Sequence, residues 1–458
     1  MTINIGKLEN AIAGKIASTT SSADLSLLAT AIKQLRSNQI WHVPCSLCLP
    51  SAASNIGKLF YVENERRIYF AKSATDGWFD LGTQGSSATK LKIWGECTTS
   101  ALSGVSSVPA AATGCFFDLC GGGSDWCFIT SGTSSFGKPT AAAIKTNGTL
   151  WTWGRNCYTV LGSGQSYSVS RSSPGTTAGG GTNWCFVDMQ DSNAVGIKTD
   201  GTLWTWGTRT QGGLGDGLSG YSCQNSPATT QGGGTTWCAA STGRQLTTGI
   251  KTDGTIWTWG RGSSGQLGTG SYVARCSPGN VAGGGTNWSK VDSGDYHVIA
   301  LKNNGTVWGW GLNNYGQLGV GDASTKTSPV TTAGGGTNWC TIKARFRQSA
   351  GIKTDGTLWT WGRGSNGVVG DGTTVTRSSP VTVAGGGTTW CLVSVNCLDG
   401  SGIKTDGSLW TWGNNSFGGL GNGTFANRSS PGTTVSSANN WTRVSNGAPN
   451  LGLQCINI

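Results

Sequence analysis

The sequence predicts an all-β chain built of stacked, repeated hairpin units. Three observations carry that prediction. The stretch from Gly351 to Gly362 reads G-I-K-T-D-G-T-L-W-T-W-G, and close copies end at Gly154, Gly207, Gly260, Gly311 and Gly413. The Trp before that last Gly falls at Trp153, Trp206, Trp259, Trp310, Trp361 and Trp412, a spacing of 53, 53, 51, 51 and 51 residues. A second mark, G-G-G-T-N-W or a variant, alternates with the first and ends at Trp126, Trp184, Trp237, Trp288, Trp339, Trp390 and Trp441. Self-similarity at such a period means that each copy is one supersecondary unit, buried against its neighbours.

Each copy of the first mark reads as a β-hairpin. Asp-Gly or Asn-Gly between two short apolar runs favours a tight turn, because the turn residues need positive φ. With Asp355-Gly356 as the turn, Ile352 is expected opposite Trp359, and strand alternation puts Trp359 and Trp361 on one face. A hairpin this short is marginal alone. The apolar run after the second mark, such as Cys185-Phe186-Val187, reads as another strand, so each unit offers at least three strands and a Gly-rich excursion such as N-N-Y-G-Q-L-G at Asn313 to Gly319. A shortened copy, L-K-I-W-G, ends at Gly95 and brings the first mark to seven. The tryptophans read as packed core; a stacking platform for nucleic acid needs exposed rings.

D-G-T-L-W-T-W-G followed by N-x-x-G-Q-L-G, at this period, resembles the regulator-of-chromosome-condensation repeat. The resemblance covers about residues 90 to 458 and implies a seven-bladed β-propeller. The chain should start its propeller with an isolated Trp-Gly strand and end it with L-G-L-Q-C-I-N-I, so closure by pairing of Leu453 to Ile456 with Leu91 to Trp94 is expected. Members of that family exchange guanine nucleotide on a small GTPase and bind chromatin, and others use the repeat as a binding scaffold. No exchange-site residue is matched here, so the resemblance implies the fold and not the activity.

Composition fits a Gly-turned β repeat. The chain has 458 residues, of which 76 are Gly, and only 12% are charged. No apolar run is long enough for a transmembrane helix, and the N-terminus lacks a signal-peptide pattern; no membrane insertion is expected. Net charge is +11. Part of it recurs at Lys145, Lys198, Lys251, Lys302, Lys353 and Lys404, and part at Arg171, Arg275, Lys326, Arg377 and Arg428. These sets read either as solvated strand edges or as a surface facing a polyanion. The 15 Cys do not form a secreted-domain framework. Cys127, Cys185, Cys238, Cys340 and Cys391 follow the repeat Trp where Ser289 and Thr442 stand in other copies, which reads as a small strand residue.

Ahead of the repeats, residues 1 to 40 read as a helical segment for attachment or oligomerisation. Leu25, Leu28, Ile32 and Leu35 form a short seam, and a homotrimer is expected. Residues 41 to 89 read as a small β module and linkers: Pro44 and Pro50 suggest a linker, residues 57 to 82 a hairpin turning at Glu63 to Glu65 and then a strand at Trp78 to Leu81. His42, Cys45 and Cys48 have metal-like spacing but no fourth ligand nearby. The paired helices, S-A-A-S-N-I-G-K-L-F-Y-V and D-G-W-F-D-L-G resemble N-terminal modules of tailed-phage structural proteins. That resemblance implies a virion protein made in a host cytoplasm: a tail fibre or appendage binding a host-surface glycan or protein, alternatively a capsid or neck decoration protein. A cellular regulator or interaction propeller is the further alternative. Nucleic acid is not an expected partner.

No phosphate loop, zinc-protease motif or nucleophile elbow occurs, and neither an enzyme, a metal nor a cofactor is expected. The acidic pair Asp292 and Asp295 lacks an assigned separation for glycan hydrolysis. Candidate partner-binding residues come from the segment between the two marks, which varies from copy to copy. It reads D-M-Q-D-S-N-A-V with Asp191, S-T-G-R-Q-L-T-T with Arg244, and D-S-G-D-Y-H-V-I with Tyr296 and His297. In the next copy it is K-A-R-F-R-Q-S-A, with Arg345, Phe346 and Arg347. Variable loops on a rigid scaffold carry recognition, and two guanidiniums beside an aromatic suit anionic or sugar ligands. His297 also fits a structural hydrogen bond.

Overall fold

The computed structural model describes residues 125–133, 139–166, 169–190, 192–334, 336–416, 418–435, 439–446 and 451–457, and the strands at 41–43, 59–62, 67–73, 77–83, 90–95 and 117–118. The chain divides into two compact units, Met1–Ser87 and Ala88–Ile458. The expected helical segment and its seam Leu25, Leu28, Ile32 and Leu35 lie outside the described residues. In the first unit a four-stranded sheet runs Trp41–Val43, Leu59–Val62, Arg67–Ser73, Gly77–Thr83. Trp41–Val43 pairs in parallel with Leu59–Val62, with His42 opposite Tyr61. The start of the expected linker is therefore strand.

In the second unit the expectation of seven equivalent blades is corrected. Contiguous chain forms six four-stranded blades, spanning residues 126–176, 184–229, 237–280, 288–331, 339–382 and 390–433, here blades one to six. Only these copies carry the whole set of marks in sequence order. The ends of the repeat region instead contribute one composite sheet, in the order Trp441–Ser445, Leu451–Asn457, Lys90–Gly95, Phe117–Asp118. There Gln454, Cys455 and Ile456 pair with Ile93, Lys92 and Leu91. Its first strand bridges blades six and one: Ser445 Oγ lies 2.7 Å from Ser131 Oγ, and the Asn446 amide donates to Ser394 Oγ at 3.0 Å. Helix among the described residues is limited to 3-10 turns at Cys157–Thr159, Thr210–Gly212 and Ser365–Gly367.

Blade five shows why the repeat is spelled as it is. Trp339–Arg345, Gln348–Lys353, Leu358–Gly362 and Arg377–Thr382 follow one another as antiparallel neighbours. Register differs from the expectation by one residue: Ile352 faces Leu358, and Gly351 faces Trp359. The reason is the width of an indole. A Cβ on Gly351 would stand 2.7 Å from Cζ3 of Trp339, so the first-strand Trp packs over bare backbone. Trp339 then meets both hairpin tryptophans edge-on, with centroids 6.1 Å from Trp359 and 6.0 Å from Trp361.

The turn is a relay of hydrogen bonds. Asp355 Oδ1 accepts from the Thr357 amide at 2.9 Å and the Thr357 hydroxyl at 2.6 Å; Thr357 Oγ1 in turn accepts from Trp359 Nε1 at 2.9 Å. The Thr between the two hairpin tryptophans bonds to the excursion, as Thr258 does to the Leu267 carbonyl at 2.7 Å. Between blades, Trp361 Nε1 donates to the Gln317 carbonyl of blade four at 2.9 Å. The Cys after the repeat Trp is a bulge residue, where the register shifts, and its thiol donates to the second strand: Cys340 to Ile352 O at 3.3 Å, Cys391 to Ile403 O at 3.3 Å. Ser289 does the same to Leu301 O at 3.0 Å. Burial pushes the Cys340 and Cys391 thiols up, which keeps them unreactive.

Candidate functional site

Antiparallel order sorts the connections. Turns between strands one and two, and excursions between strands three and four, lie at one end of every blade. Hairpin turns and the links to the next blade lie at the other. The first is the variable end and the second the repeat end.

At the repeat end the six lysines are caged. Lys353 Nζ lies 4.9 Å from the Trp339 centroid and 4.2 Å from that of Trp359; Lys404 lies 4.9 Å from Trp390 and 3.9 Å from Trp410. Lys145, Lys198, Lys251 and Lys302 repeat the arrangement. Four of the turns add a carboxylate two residues on. Hydrogen bonds from Thr255, Thr357 and Ser408 hold Asp253, Asp355 and Asp406 below the usual carboxylate range. Cation, ring and carboxylate thus satisfy one another locally.

First strands line the axis of the ring, and their side chains reach across it. Arg345, at the end of the first strand of blade five, is only 8% exposed. Its Nη2 bonds to the carbonyl of Ser131 in blade one and lies 3.3 Å from that of Met189 in blade two; Nη1 is 3.9 Å from Asp188. Asp188 accepts from Thr130 Oγ1 at 3.2 Å, Ser241 Oγ at 3.1 Å and the Thr242 amide at 2.9 Å. Lys343 Nζ pairs with Asp292 at 3.0 Å. Burial pushes the Asp292 carboxyl up, and that carboxylate raises Lys343. Asp295 instead accepts from Gln190 Nε2 at 3.2 Å. The two acids of the hypothetical glycosidase pair therefore have separate partners.

Strand one runs further than the sequence suggests, so most of each variable segment is strand. Arg345 pairs with Gln348, leaving Phe346-Arg347 as a two-residue turn. Gly243 pairs with Leu246, leaving Arg244-Gln245. Phe346 holds φ +49°, strained for a bulky side chain. Arg347 turns outward: its Nη1 donates to Tyr315 Oη at 2.9 Å and its guanidinium lies 4.5 Å from that ring's centroid. Arg345 and Arg347 are thus parted, one to the axis and one to the surface.

Two residues the sequence did not single out complete the arrangement. Arg261 and Arg363 follow the Trp-Gly of blades three and five, as Arg155 does in blade one; Thr208, Leu312 and Asn414 hold that position in the other three. Arg363 lies 5.7 Å from the Tyr315 centroid, opposite blade four's other tyrosine pair: Tyr296 has Arg244 at 5.9 Å and Arg261 at 5.3 Å. All six side chains are partly buried. The structure thus joins Arg244 to Tyr296, as neighbouring turns of blades three and four. His297 is buried behind them, with Nε2 3.0 Å from Ser349 Oγ, and burial lowers its pKa to about 3. It holds blade four to blade five. Asp191 lies outside the described residues.

Residues 253–301, 304–344, 355–397 and 406–448 match the regulator of chromosome condensation (RCC1) repeat, and 288–317 match a second model of that repeat. The chain is 28% identical over 242 residues to the ultraviolet-B receptor UVR8 of Arabidopsis thaliana, covering 52% of this chain and 54% of that one. It is 29% identical over 241 residues to the E3 ubiquitin-protein ligase HERC2 of Homo sapiens, covering 51% of this chain and 5% of that one. It therefore spans about half the length of the first relative and a small part of the second. Yeast RCC1 (Prp20), solved bound to Kap60, superposes with a TM-score of 0.66 at 17% identity, covering 81% of this chain and 89% of that one. Human WBSCR16 gives 0.68 at 17% identity, covering 81% and 99%. Likeness at this identity is one of fold. On repeat matches and fold together, the chain carries RCC1 repeats arranged as a β-propeller.

Proposed function

We propose that the chain is a non-catalytic interaction propeller whose variable end docks a protein partner. One observation carries the reading. Bonds within the hairpins recur from blade to blade, whereas the two-residue turns and first excursion residues at the variable end change chemistry. A rigid ring with non-repeating residues on one end is suited to recognition. The names of the relatives support it in kind: a receptor, a ubiquitin ligase far longer than this chain, and an RCC1 solved with a bound protein.

In-cell cross-linking of the full chain, followed by identification of captured proteins, tests the reading. Replacing Arg244-Gln245 and Phe346-Arg347 by Asn-Gly keeps both turns short and is expected to abolish capture of a specific partner. Capture of the same partner at undiminished yield contradicts a docking role for this end.

A role as a tail fibre or virion decoration is a separate proposal. It rests on the sequence of residues 1–89, including the strands Leu59–Val62 and Gly77–Thr83. Immuno-electron microscopy of purified particles tests it: particles without the protein end it.

A further inference from the structure

We propose that the arginine–tyrosine arc across blades three to five is a docking site for a short, carboxylate-rich peptide segment. This rests on the interaction-propeller reading and names the chemistry of its ligand. The arc comprises Arg244, Arg261 and Tyr296 on one side of blade four and Tyr315, Arg347 and Arg363 on the other.

Geometry is the first argument. Each tyrosine ring carries two guanidiniums at 4.5 to 5.9 Å. A guanidinium laid on a ring keeps its edge N–H groups for other acceptors, and its planar fork matches a carboxylate. Rings and hydroxyls already hold these long side chains: Arg347 is fixed by Tyr315 Oη and Arg261 by Ser263 Oγ at 2.7 Å. Binding therefore loses less side-chain freedom than at a free arginine.

Strain is the second and independent argument. The two-residue turn of blade five uses Phe346 at φ +49° where Gly or Asn would sit unstrained. The turn holds an aromatic ring beside Arg347 against its own backbone preference. Backbone strain of this kind gathers at ligand clamps.

Charge layout favours a peptide over a nucleic acid. A phosphate backbone needs a continuous cationic track. Here Asp295 adjoins Tyr296, and Asp322 and Asp371 neutralise the rim cations Lys326 and Arg377 at 2.7 and 2.6 Å. The tyrosine faces are covered by guanidiniums, which removes the platform that bases stack on. What remains, at Arg261, Arg347 and Arg363, is a compact set of forks suited to a few carboxylates.

The test uses fluorescence anisotropy with the full chain and labelled decaglutamate, with decaglutamine and oligothymidylate as comparison probes. One variant combines Arg261→Gln, Arg347→Gln and Arg363→Gln; the other combines Lys198→Gln, Lys353→Gln and Lys404→Gln at the repeat end, removing equal charge. Decaglutamate binding is expected to weaken by about tenfold or more in the first and by less than about threefold in the second. Equal losses in both overturn the proposal, because bulk charge then explains the binding. Tighter binding of oligothymidylate than of decaglutamate overturns it in favour of nucleic acid. A cellular partner cross-linked equally by native protein and arc variant overturns the arc while leaving the interaction reading standing. No specific partner with either protein removes both.

Discussion

The two ends of this propeller are made from the same strands and solve opposite problems. At the repeat end each cation is matched within its own blade, by two indoles and, in four blades, a turn carboxylate. At the variable end blade four's tyrosines take their guanidiniums from blades three and five. The first arrangement can be copied indefinitely because it refers only to itself. The second depends on which residue happens to stand in the neighbour. A repeat protein thereby separates what must be identical, the framework, from what is free to differ.

Arginines two residues apart give the largest expected contrast. Arg345→Ala removes a cation that spans the axis and leaves Asp188 with less compensation; unfolding free energy should fall by about 3 kcal/mol. Arg347→Gln, at the surface, should change it by no more than about 0.5 kcal/mol. Urea unfolding of both full-length variants reads the difference, and equal effects would erase the distinction between axis and surface.

Asp399 sharpens the comparison through pH. It begins the second strand of blade six and bonds to Asn446 Nδ2 at 2.6 Å, beside the composite sheet, where burial raises its pKa to about 7. An acid with a raised folded pKa favours the protonated form in the folded state. Its contribution is full below the unfolded value near 4 and is lost as pH climbs to about 7. Stability should therefore fall across that window by on the order of 4 kcal/mol. Asp399→Asn should flatten that part of the profile; an unchanged slope would place the titration elsewhere.

Gly351→Val tests the framework. Its branched side chain would meet the Trp339 ring, and the overpacking should cost about 1–3 kcal/mol while leaving decaglutamate affinity intact. Smallest is Phe346→Gly. Relief of the positive φ should raise stability by about 0.5 kcal/mol and weaken decaglutamate binding. A variant both less stable and undiminished in binding would remove the strain argument.

The hairpins and their Trp-Gly ends were legible because turn chemistry and period agree at every copy. Register was not, since the spelling G-I-K looks like a strand start, whereas Gly351 serves to admit Trp339. Nor was the fate of Arg345. The bulge after Trp339 changes the alternation along strand one, and a segment that varies between copies looks like loop even when it lines the axis. The arc at Tyr315 was hidden because its residues come from three blades and lie 16 to 119 positions apart (244 to 363). Seven copies of a mark likewise do not make equal blades: the outlying copies contribute to a sheet shared by both ends.

Hydrogen exchange on the full chain with and without decaglutamate tests the central claim most directly, that recognition belongs to the variable end. Protection is predicted at residues 243–247, 261–264, 294–297, 313–316 and 345–348, with the hairpin turns at 199–202, 252–255, 354–357 and 405–408 unchanged. Protection centred on those hairpin turns, at the caged lysines, would contradict it.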